Sequence, residues 1–69
     1  MTLYTVLHTI PGGETVTVYD YITSEILIDC EAVANVLESD KFHEELKRCE
    51  VYKLQAGKEF GDLQIGIVA

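Results

Sequence analysis

With 69 residues, the chain has room for one hydrophobic core and no second, since a chain this short buries only about 60% of the surface its unfolded form exposes. An apolar fraction of 48%, set in short patterned runs, excludes the composition of a disordered chain. Twelve acidic against five basic residues leave a formal charge of −7. That balance disfavours direct nucleic-acid binding, whose affinity comes largely from Lys and Arg displacing counterions, and suits a protein partner with a basic surface.

The chain opens with Leu3, Val6, Leu7 and Ile10 at the spacing of one helical face, with Thr2 as a candidate cap. Pro11-Gly12-Gly13 ends the segment. The reading is a short N-terminal helix, with a strand as its alternative because Thr and Val favour sheet. Residues 15–21 (TVTVYDY) alternate and are rich in β-branched and aromatic types, the pattern of a strand. Ile22-Thr23-Ser24 is a short turn without the usual glycine, and residues 25–30 (EILIDC) return as a second strand to make a hairpin.

From Asp29 the period changes. Val33, Val36 and Leu37 share a helical face, with Asp29 or Cys30 near the cap, and after Ser39 the residues Phe42, Leu46 and Cys49 share another. The region is two short helices or one helix kinked at Ser39. Residues 50–55 (EVYKLQ) and 62–68 alternate again around a loop from Ala56 to Gly61, giving a second hairpin. The expected fold is a single α+β domain over residues 1–69, in the order α-β-β-α-β-β. Its small antiparallel sheet of about four strands carries short helices on one face. Val16, Val18, Leu63, Ile65 and Ile67 are expected to face the helices, which leaves Thr15, Thr17, Tyr19 and Tyr21 on the other face with no layer over them.

No charged segment followed by an apolar one opens the chain, and no apolar run approaches the ~18 residues that span a bilayer. The expectation is a cytoplasmic protein with no membrane contact. Cys30 and Cys49 are too few for a disulfide framework and lack the C-x-x-C spacing of a zinc module, so they read as reduced thiols, with a single bridge between them left open.

The sequence offers no recognisable catalytic residue, metal site or cofactor motif. His43 and Cys49 are six residues apart, which on a helix sends them to different faces. Gly12-Gly13 precedes a strand and lacks the remainder of a phosphate loop. The distinctive feature is instead a tyrosine set: Tyr19 and Tyr21 share a strand face, and Tyr52 lies on a strand placed to neighbour theirs. Such residues bring large amphipathic area with few rotors to freeze. They read as a binding surface, as ordinary strand composition, or as a contact between copies of a homo-oligomer.

The strings TLYTVLHTI, VTVYDY, EVYKL and LQIGI, around an acidic helical stretch, resemble those of small uncharacterised proteins carried by phages and mobile elements of Firmicutes. The resemblance implies an accessory role in the conflict between phage and host. The implied activity is inhibition of a bacterial defence system, either by an anti-CRISPR-like stoichiometric inhibitor or by a sponge for a small signalling nucleotide. An acidic inhibitor matches the charge of −7. A sponge needs a cation for phosphate, for which Lys53 or Lys58 are the candidates. The alternatives are a homo-oligomeric structural protein assembled through the tyrosine face and a small metal-dependent nuclease using Asp20, Asp29 or Asp62 across an oligomer interface.

Overall fold

A computed structural model describes residues 1–40, 42–56 and 62–68. The first helix, α1 (Leu3–His8), buries Leu3, Val6 and Leu7, and the Thr2 hydroxyl accepts the Thr5 N–H at 3.3 Å to cap it. The hairpin β1 (Thr15–Asp20) and β2 (Ile26–Ala32) follows. Its turn closes without glycine because Asp20 organises it: the carboxylate accepts the N–H groups of Ile22 and Thr23 at 2.8 and 3.1 Å. Ser24 supplies the left-handed residue at φ 64°.

The second strand runs to Ala32, past the helix start expected at Asp29 or Cys30. Cys30 takes a left-handed φ of 48°, which forms a bulge and lets Glu31 and Ala32 resume pairing with Val16 and Thr15. Helix α2 (Val33–Glu38) therefore starts after Ala32, a residue with no capping side chain. Backbone carbonyls of the preceding turn satisfy the helix instead, since the Val33 and Ala34 N–H groups donate to Glu14 and Gly12 at 2.9 and 3.1 Å. Ser39 ends α2, and a second helix, α3 (Glu44–Lys47), starts after His43, so of the predicted face only Leu46 lies within it while Phe42 and Cys49 flank it. Strands β3 (Glu50–Ala56) and β4 (Asp62–Val68) pair antiparallel. The predicted loop between Ala56 and Gly61, with Lys58, lies outside the described residues.

The strand order is β2-β1-β4-β3. The α+β class, the two hairpins and the element order follow the sequence reading, but the sheet is mixed: β1 and β4 run parallel, joining two antiparallel hairpins. The physical reason is the crossover. Residues 33–49 carry the chain over one face from the β2 edge to the β3 edge, so the two inner strands end up running the same way. These inner strands, β1 and β4, supply Val16, Val18, Ile65 and Ile67 to the core from one face. Leu3, Leu7, Val33, Val36, Phe42 and Leu46 close that core from the helical side. All three described helices pack on the same face, and no described helix covers the other.

Candidate functional site

Register fixes what stands on the bare face. Thr17 pairs with Gln64, and Tyr19 pairs with Gly66, which in turn pairs with Lys53 of β3. Residues paired in this way project from the same side of the pleat. Tyr21 extends β1 by one more step, its N–H donating to the Ile67 carbonyl at 2.9 Å. Tyr52 is the extra residue where the β3 register shifts between Val51 and Lys53, and its ring meets that of Tyr21 at 4.3 Å between centroids, tilted by 50°.

The sheet thus gathers all four residues singled out from the sequence, Tyr19, Tyr21, Tyr52 and Lys53. It does so differently from the expected arrangement. Tyr52 is not on a strand beside β1, because β4 lies between them. Gly66 makes the gathering feasible: a Cβ at that position would lie 2.9 Å from Cζ and Oη of Tyr19, so the ring occupies space that any other residue would fill. Sequence reasoning missed Gly66, although a glycine inside a strand pattern is a signal of close approach. It also missed Ile26, the β2 partner of Tyr19, which is 57% exposed. Tyr52 is 64% exposed, Tyr21 is 37% exposed and Tyr19 is half-buried.

The other end of the face is polar. Thr17, expected to be uncovered, is buried, and its hydroxyl accepts the Cys30 N–H at 3.1 Å while donating toward both carboxylate oxygens of Asp62 at 3.4 and 3.5 Å. The amide of Gln55 donates to that of Gln64 at 3.2 Å. These groups satisfy one another, so the outward chemistry of the face is concentrated at its aromatic end.

Asp20 and Asp62, proposed from the sequence as metal ligands with Asp29, are occupied in the turn and with Thr17 respectively. Among the described residues no three His, Cys, Asp or Glu side chains are placed to share an ion. Both cysteines are free thiols, Cys30 exposed and Cys49 half-buried. Burial, and then the carboxylates of Asp20 and Glu45, hold the Cys49 thiol above its ordinary pKa. Among the described residues no helix is long and apolar enough to cross a membrane. Comparison with protein-family models, with curated proteins and with solved structures finds no match.

Proposed function

We propose that this chain acts by stoichiometric binding, with the aromatic end of its bare sheet face as the contact surface and a protein with a basic surface as its partner. The observation that carries this reading is the convergence of Tyr19, Tyr21 and Tyr52 around Gly66 on a face that no described helix covers. Large, half-exposed rings held by neighbours lose little entropy on binding, which is why such residues anchor interfaces. The face is open, so a small molecule lying on it would leave much of its own surface in water, whereas a macromolecule buries the rings. The charge of −7 selects a cationic partner and opposes pairing with a second copy.

On the resemblance of its sequence strings to small phage and mobile-element proteins, we take that partner to be a bacterial defence effector whose nucleic-acid channel is lined with Lys and Arg. By occupying such a channel the chain inhibits the effector without chemistry of its own.

The test mixes the purified chain with RNA-guided nucleases from Firmicutes and measures DNA loading. Loading should fall at near-equal stoichiometry, the block should weaken with salt, and Tyr21→Ala with Tyr52→Ala should relieve it at least tenfold. Undiminished loading across the set would sink the defence reading. A defined oligomer by light scattering, broken by Tyr21→Glu, would replace it with the homo-oligomeric alternative.

A further inference from the structure

A second surface stands apart from the tyrosine face, on the helical side of the sheet. Strand β2 is an edge: β1 pairs with it on one side, and no described strand pairs with the other. Helix α2 packs alongside, and between them lies a groove of about 310 Å³ lined by Leu27, Ile28, Glu31, Asn35, Val36 and Ser39. Its apolar floor comes from a bulge. Ile26 pairs with Tyr19 and Ile28 with Val18, so Leu27 is an extra residue opposite one position of β1. The bulge turns both Leu27 and Ile28 into the groove rather than to opposite faces. Leu27 consequently stays 37% exposed, while Ile28 and Val36 are buried beneath it.

Charge identifies the occupant. Between Glu14 and Asp40 the sequence holds seven carboxylates and no Lys or Arg, while the remaining five carboxylates are matched by all five basic residues. The whole formal charge therefore falls on the stretch that forms β1, β2 and α2. Glu31 lines the groove, and Asp29 on β2 and Glu38 on α2 are exposed on the two elements that form it. A second copy would bring the same anionic stretch and be repelled. The bulges in β2 also interrupt its edge, which opposes open-ended sheet extension.

We propose that the β2–α2 groove docks an extended, Lys- or Arg-rich segment of a partner protein. The segment adds to the outer edge of β2, seats one apolar side chain on Leu27, Ile28 and Val36, and places its cations against Glu31 and its neighbours. Strand addition of this kind takes affinity from main-chain hydrogen bonds and selectivity from alternate side chains. The proposal does not depend on the tyrosine face, and its test separates the two.

The probe is a peptide of roughly seven residues, alternating lysine and serine around a central leucine and titrated into the labelled full chain by NMR. Amide shifts are expected at Leu27, Ile28, Asn35 and Ser39. Replacing the peptide lysines with glutamate should weaken binding tenfold or more, as should the exposed variant Glu31→Lys. Because successive amides of a strand point to opposite sides, N-methylation of alternate peptide amides should abolish binding while methylation of those between leaves it unchanged. Shifts at Tyr19, Tyr21 or Tyr52, equal affinity for every methylated peptide, or no shift at millimolar peptide would each overturn the proposal. Dimerisation through Leu27, abolished by Leu27→Asp, would overturn it in favour of a second copy.

Discussion

The ring of Tyr19 takes the place of a side chain at Gly66: a Cβ on that glycine would come within 2.9 Å of the tyrosine Cζ and Oη. Gly66→Ala should therefore push the ring off β4 and into solvent while the chain stays folded. The net change in stability is expected to be under about 1 kcal/mol, because alanine's gain over glycine in a strand offsets the lost packing. The cleaner measurement is a double-mutant cycle with Tyr19→Ala, in which a coupling of at least about 0.5 kcal/mol is expected. Additive effects would show that the two positions do not share that space.

Tyr21 and Tyr52 form the exposed part of the face, with ring centroids 4.3 Å apart across a tilt of 50°. Tilted pairs of this kind contribute about 0.5–1.5 kcal/mol beyond their area. Urea denaturation of Tyr21→Ala, Tyr52→Ala and the double variant should recover a coupling in that range. If each loss is independent of the other, the rings are not packed in solution and the surface they form is not preorganised.

Thr17 and Cys30 are joined by a hydrogen bond of 3.1 Å from the Cys30 N–H to the Thr17 hydroxyl. Thr17→Val keeps the shape and removes the acceptor, with an expected cost of about 1–3 kcal/mol. The Cys30 amide should then exchange with solvent faster, by at least tenfold. At Cys30 itself the left-handed φ of 48° strains any residue with a Cβ, and Cys30→Gly should be neutral or stabilising by up to about 1 kcal/mol. A clear loss of stability in the glycine variant would mean that the thiol contributes packing that its exposure does not reveal.

The two thiols should differ in reactivity. Burial, with the carboxylates of Asp20 and Glu45, keeps Cys49 protonated to higher pH than an ordinary thiol. Cys30 is exposed. Iodoacetamide should label Cys30 first across mildly alkaline pH, as followed by intact mass and peptide mapping. For stability the sign follows from the folded state holding the proton more tightly. The Cys49 contribution is fully present below the ordinary thiol pKa and is lost as pH rises through the higher folded value. Cys49→Ser should flatten that alkaline decline, and an unchanged pH profile would assign it to other groups.

Local pattern carried much of the architecture. The spacing of Leu3, Val6 and Leu7 behind Thr2 marked α1, the alternation in residues 15–21 marked β1, and Ser39 was marked as a break, with the structure deciding for two helices over one kinked helix. These features depend on neighbours within a few residues, where propensity, capping and side-chain period act directly. The same alternation placed Tyr19 and Tyr21 together on a face without a helix. It did not reveal that Cys30 would bend β2 and let the strand continue to Ala32, because a left-handed cysteine is imposed by the pairing around it.

What the sequence by itself determined, then, is the α+β class, the two hairpins, the order of helical and strand regions and the core side of β1 and β4, since hydrophobic period and turn chemistry are local. Only the tertiary structure decided that β1 and β4 run parallel and that Tyr52 reaches Tyr21 across β4. It likewise decided that Gly66 is the seat of Tyr19 and that a groove opens between β2 and α2. Those relationships join residues dozens of positions apart. They are chosen by how the crossover of residues 33–49 covers the most apolar strands at once, a global requirement of burial that no local pattern encodes.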